Sequence, residues 1–279
     1  MFRLGKKQKL VVVKSVDFGV YLGETENASM DDRVLLPKKQ VPQDIHVGDE
    51  IEVFLYKDSK DRIIATTTTP KLMVGQVGTL TVAQVTGIGA FLDWGLEKEI
   101  LLPYKEQTKR VKEGEEVLVA LYVDKSKRLA ATMNVYEYLT KGGPYQRDDM
   151  VQGTVYQVSD EFGAFVAVDN QYSALIPKRE AFGEIKVGDH VQARITAIKP
   201  DGKMDLSVRE KAYIQIEKDA QKILAIIDSF DGVLPFTDRA NPEVIKRETQ
   251  MSKNEFKRAV GNLLKHGKIE IKENCIRRK

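Results

Sequence analysis

Phe162 and Phe165 flank Gly163 and Ala164, which sets two phenyl rings three residues apart around a glycine. On an exposed strand such rings offer π-faces to unpaired nucleobases, a contact worth about 1–3 kcal/mol per base that tolerates any sequence. In a straight strand, residues three apart face opposite sides, so one ring would fill the core unless Gly163 bulges the strand. Cations suited to phosphate follow: Lys178 and Arg179 after Pro177, then Arg194 and Arg209, which are expected on outer faces. A second constellation lies near the C-terminus, where residues 251–279 hold nine basic and three acidic residues. On the helix expected there, Asn254, Arg258, Gly261 and Lys265 oppose the apolar stripe, flanked by Lys257 and Asn262; Arg277 and Arg278 follow. Clusters of this kind neutralise phosphate, and Asn and Arg hydrogen-bond base edges. A solvated basic face is the plain alternative. Gly261 costs an exposed helix about 1 kcal/mol relative to Ala. Close backbone approach to a ligand would explain it, and so would neutral chance.

Other chemistries lack their residues. A metal-dependent nuclease needs a carboxylate cluster in a dedicated domain, whereas Asp31-Asp32 and Asp148-Asp149 fall in expected loops or linkers. Gly87-Ile88-Gly89 fails the dinucleotide fingerprint because Leu92 occupies the third glycine position, and no Gly-x-Ser-x-Gly occurs. Cys275 is the one cysteine, and with His46, His190 and His266 it makes neither a disulfide framework nor a zinc site. No catalysis, metal or cofactor is expected. The 279 residues are 42% hydrophobic and 30% charged with a net charge of +3, an ordinary globular balance. Apolar runs fall well short of the ~20 residues that span a bilayer. Lys14 and Asp17 interrupt the one N-terminal run that imitates a signal peptide. A soluble, cytoplasmic monomer without a membrane partner is expected.

The elements that must position these groups repeat. Phe18-Gly19-Val20-Tyr21, Ile88-Gly89-Ala90-Phe91 and Phe162-Gly163-Ala164-Phe165 each precede a Leu-Leu-Pro or Leu-Ile-Pro and then a Gly, with 11 residues from Pro to Gly every time. The first copy carries an insertion over residues 24–32. Alternation such as Val191, Ala193, Ile195, Ala197 has the period of a strand. Five short strands in each copy predict a five-stranded OB-type barrel, with the glycine at a sharply bent corner. From about Ala212 the period becomes helical. Asn241-Pro242 and Ser252-x-x-Glu255 open two further helices. The last should bury Phe256, Ala259, Val260, Leu263 and Leu264, and a short hairpin follows it. The expected fold is mainly β with a C-terminal α+β domain. Barrels are expected at 1–70, 71–145 and 146–212 and a winged helix-turn-helix at 213–279, with joints at Thr69-Pro70 and at residues 141–144.

The third copy resembles the S1 RNA-binding domain. Gly153-Thr154-Val155, Phe162 to Val166, Ala174-Leu175-Ile176, Val187 to Val191 and Leu206-Ser207-Val208-Arg209 carry the resemblance in order. The resemblance implies a barrel holding single-stranded RNA on its aromatic face, with Phe162, Phe165 and Arg209 in contact. The family often has His where Pro177 stands, so one usual contact is missing here, and Lys178 is the candidate to replace it in part. The other copies match less fully, which leaves Phe18, Tyr21, Phe91 and Trp94 as weaker candidates. Three such barrels followed by a winged helix resemble the bacterial conserved virulence factor B (YitL-like) family over essentially the whole chain. That implies a non-catalytic RNA-binding protein acting on gene expression after transcription, with DNA or ribosome-associated partners as further candidates. A DNA-binding regulator led by the winged helix and a protein-docking adaptor stay open, because fold does not fix function.

Overall fold

Period-two alternation in each repeat builds five strands whose inward side chains share one interior. The computed structural model describes residues 2–181, 184–208 and 212–279, with the backbone alone for 212–215. The first copy comprises β1 (Lys7–Val16), β2 (Gly19–Gly23), β3 (Arg33–Pro37), β4 (Glu50–Lys57) and β5 (Ile63–Thr66). The second comprises β6 (Val77–Thr86), β7 (Gly89–Asp93), β8 (Ile100–Pro103), β9 (Glu116–Val123) and β10 (Leu129–Thr132). The third comprises β11 (Met150–Ser159), β12 (Gly163–Val168), β13 (Tyr172–Pro177), β14 (His190–Ile198) and β15 (Met204–Ser207).

The first and third copies close as barrels in the orders β1-β2-β3-β5-β4 and β11-β12-β13-β15-β14. The second is a five-stranded sheet, β10-β9-β6-β7-β8, with β8 and β10 at its edges. In the third barrel Val155, Ala164, Val166, Ala174, Ile176, Ala193, Ile195, Met204 and Leu206 fill the interior. Ala197, expected to continue that row, is exposed, because a register shift between Ile195 and Ala197 turns the strand over.

One irregularity recurs. The pairing of each copy's first two strands skips a residue: Val13 in the first, Ala83 in the second and Tyr156 in the third. Such a bulge re-aims the side chains that follow it. Beside it, Gly19, Gly89 and Gly163 take φ of 152°, 152° and 115°.

Outward residues join the barrels. β9 is buried on both faces from Val117 to Leu121. Leu118 and Ala120 pack with Val77, Val135, Tyr156 and Ala167, which ties the second copy to the third. Phe54 and Tyr56 of the first copy meet Trp94 of the second. The chain divides into two compact units, Met1–Val208 and Arg209–Lys279.

The second unit comprises α1 (Ala212–Ser229), β16 (Val233–Leu234), α2 (Pro242–Thr249), α3 (Lys253–Lys265), β17 (Ile269–Lys272) and β18 (Cys275–Arg278). Its sheet order is β16-β18-β17. β16 was not expected, since two residues are too short to show alternation. Asn241 Oδ1 accepts from Glu243 N–H at 3.1 Å and caps α2, with Pro242 beginning the helix. The core gathers Ile223, Ile227, Leu234, Ile245, Phe256 and Ile276.

Candidate nucleic-acid interface

With Ala164 and Val166 turned inward, Phe165 points out of the third barrel, in register with Gln157 on one side and Leu175 on the other. Leu175 in turn faces Asp205 across the parallel pair β13–β15. The outer face thus carries a row, Gln157, Phe165, Leu175 and Asp205, over four adjacent strands. Phe162 stands just before β12 and is 54% exposed; Phe18 and Ile88, in the same place in the other copies, are 57% and 63% exposed. Neither ring of the third copy fills the barrel. Gly163 makes this possible by turning the backbone between them.

The two rings line a groove of about 410 Å³, together with Tyr136, Tyr156, Lys199 and Lys203. Phe165 lies against Tyr156, with ring centroids 6.1 Å apart and planes tilted by 39°. Tyr156 itself is buried, which pushes its phenol pKa up, and its hydroxyl is 3.2 Å from Ser173 Oγ. Lys199 Nζ is 2.9 Å from Asp205 Oδ1 and Lys203 Nζ is 3.4 Å from Asp201, so the rim cations carry partners of opposite charge. Lys199, Lys203 and Tyr156 escaped the sequence reading. The lysines belong to a polar turn and the tyrosine to an alternating strand, and neither setting marks a ligand-facing residue.

Among the described residues, Lys178, Arg179 and Arg194 lie off the groove lining. Lys178 and Arg179 are exposed. Lys178 Nζ donates to Asp160 O at 2.9 Å and so steadies the loop leading into Phe162. Arg179 is 4.0 Å from Glu180. Arg194 is half-buried and paired with Asp148 at 2.7 Å, which makes it a brace between β14 and the segment before β11. Arg209 lies outside the described residues.

In the first copy Phe18 and Tyr21 sit edge to face at 6.3 Å. In the second, Phe91 and Ile88 line a cavity of about 340 Å³ that also takes in Tyr56, Asp61, Lys98 and Arg128. Lys98 Nζ donates to Asp58 O at 3.0 Å and Arg128 pairs with Asp61, so the turn of the first barrel is fastened over this face. Trp94 corrects an expectation. It is 3% exposed, packed edge-on to Phe54 at 5.7 Å, with its indole N–H donating to Lys98 O. The ring is buried in the joint between the first two copies.

In the second unit Ser252 and Glu255 form the expected reciprocal cap. Ser252 N–H donates to Glu255 Oε2 at 2.8 Å, and this bond holds the carboxyl below its usual pKa. Asn254, Lys257, Arg258 and Lys265 of α3 are exposed, as is Arg277 of β18. Arg278 instead pairs with Asp228 of α1. Leu264, expected in the buried stripe, is exposed, while Phe256, Ala259, Val260 and Leu263 are buried. A methyl group on Gly261 would meet no atom within 4 Å. Gly261→Ala is therefore expected to stabilise this unit by up to about 1 kcal/mol through helix propensity alone, read from urea unfolding.

The S1 domain profile matches residues 4–68 and 74–134, and a profile for the second domain of virulence regulatory factor CvfB matches 137–210. The CvfB-like winged helix domain matches 221–277. The uncharacterized protein YitL of Bacillus subtilis is 30% identical over 96% of this chain and 91% of its own length. Conserved virulence factor B of Staphylococcus aureus is 30% identical over 84% of this chain and 80% of its own. The chain belongs to the conserved virulence factor B family. A multidomain protein with nucleic acid binding domains from Streptococcus pneumoniae shares the fold, with a TM-score of 0.52 and 24% identity over 99% of this chain and 98% of that one. This virulence factor B relative joins S1 domains to a winged helix, both nucleic-acid-binding domain types. Among the described residues no helix is long and apolar enough to cross a membrane.

Proposed function

We propose that this family member is a non-catalytic RNA-binding protein that regulates gene expression after transcription. Single-stranded RNA stacks bases on Phe162 and Phe165, and cations of the winged-helix unit neutralise phosphate. The observation that carries this reading is the outward placement of both rings on one groove of the third barrel. Flat, exposed π-faces suit unpaired bases, which a duplex keeps stacked inside. A second reading, duplex DNA held by the winged helix, draws on the exposed Asn254, Arg258 and Lys265 of α3.

Competition separates the two. Full-length protein bound to labelled single-stranded RNA is challenged with single-stranded RNA, single-stranded DNA and duplex DNA. Single strands should displace the label and duplex should not; displacement by duplex alone would overturn the RNA reading. Salt adds a second axis. The groove lysines are already ion-paired, so most counterion release should come from the winged helix. Neutralising Arg258, Lys265 and Arg277 to Gln should flatten the log–log salt slope by about 2, at about 0.7 per phosphate contact on a single strand. An unchanged slope would remove these residues from the binding surface.

A further inference from the structure

We infer that Tyr136, on the linker between the second and third barrels, is a third base-stacking platform of this groove. The strand-binding surface then extends beyond the third barrel onto the segment that precedes it. This rests on the reading that the groove takes single-stranded RNA.

Tyr136 lies in a short 3-10 turn, Val135–Tyr138, that follows β10. Its neighbours are committed to packing: Val135 is fully buried, and Tyr138 and Leu139 rest against the cluster joining the two barrels. Tyr136 is not so committed. It is 45% exposed and lines the groove with Phe162 and Phe165. The linker is also fixed at both ends. Val135 N–H donates to Met133 O at 2.9 Å. Thr140 N–H donates to Gln171 O at 2.8 Å, and Thr140 O accepts from Ser173 N–H at 3.0 Å. The backbone that carries the ring is thus held in place before any ligand arrives, which spares the ordering cost that a free tether would incur.

The occupant follows from the lining. Three partly exposed rings line the groove with Lys199, Lys203 and the buried Tyr156. Flat faces in series with a cationic edge match successive bases along a charged backbone.

The test uses the full chain and a fluorescein-labelled oligouridylate of about ten nucleotides, inside the range that one OB fold covers. Anisotropy titrations compare wild type, Tyr136→Phe, Tyr136→Ala and Phe162→Ala, and urea unfolding is recorded for each. Tyr136→Ala should bind about fivefold or more weakly, equivalent to the lower end of one stacked base. Tyr136→Phe should stay within about twofold of wild type, and the urea midpoints should agree. Wild-type affinity in Tyr136→Ala, with affinity lost in Phe162→Ala, would overturn the role of Tyr136 and leave the groove reading standing. Wild-type affinity in both would overturn the two together. Displacement of the oligouridylate by an equimolar unstructured peptide rich in aromatic and acidic residues would assign the groove to protein and also overturn the inference.

Discussion

Replacing Phe162 and Phe165 together with Ala is expected to weaken single-stranded RNA binding at least about tenfold, since two stacking contacts at about 1–3 kcal/mol each exceed the 1.4 kcal/mol that makes a decade. The two positions contribute differently to folding. Phe162 is exposed, and its backbone O already accepts from Lys178 N–H at 3.1 Å, so the loop keeps its shape without the ring. Removing that ring should change stability by less than about 0.5 kcal/mol. Phe165 leans on Tyr156, so its truncation also loosens packing. Phe165→Leu keeps most of that volume while removing the π-face, and it separates lost stacking from lost support. Anisotropy with labelled RNA and far-UV circular dichroism read both quantities. Unchanged affinity in a folded double variant would rule out stacking on these rings.

Gly163→Ala is expected to cost about 2–4 kcal/mol, combining backbone strain at positive φ with overpacking. The built methyl carbon would lie 2.2 Å from Ile176 O and 2.7 Å from Lys178 N, both backbone atoms of the paired segment, which have little room to retreat. The residue also sits at φ 115°, where side chains are strongly disfavoured. Gly19 and Gly89 stand in the same predicament, 2.1 Å from Leu36 O and 2.3 Å from Leu102 O. Urea unfolding followed by tyrosine and tryptophan fluorescence should show an earlier transition for Gly163→Ala, while Gly261→Ala moves stability the other way. A Gly163→Ala protein as stable as wild type would mean that the bend does not depend on glycine. Two substitutions of the same kind thus have opposite signs, and the surroundings of the added methyl decide which.

The repeat made the barrels legible, because alternation and the constant Pro-to-Gly step depend only on local periodicity. What lay beyond reading was where one barrel meets another. Val117 to Leu121 is an unbroken apolar run, the mark of a strand covered on both faces. Its alternate members Val117, Val119 and Leu121 fill the interior of their own copy, while Leu118 and Ala120 make the joint to Tyr156 and Val135. Trp94 misled for a related reason: an aromatic beside a candidate strand has no sequence mark that tells ligand contact from packing against a neighbouring copy. Of the groove, Phe162 and Phe165 were legible from spacing. Tyr136, Lys199 and Lys203 come from a linker and a turn, whose positions only the assembled chain determines.

At Phe18, Ile88 and Phe162 solvent access is set by the glycine that follows, not by the side chain that happens to be present. A lineage can therefore exchange a ring for an aliphatic group there, as the middle copy has, without disturbing any interior. Whatever that position touches is thereby separable from a bead's capacity to fold, and the three copies differ there while sharing one scaffold.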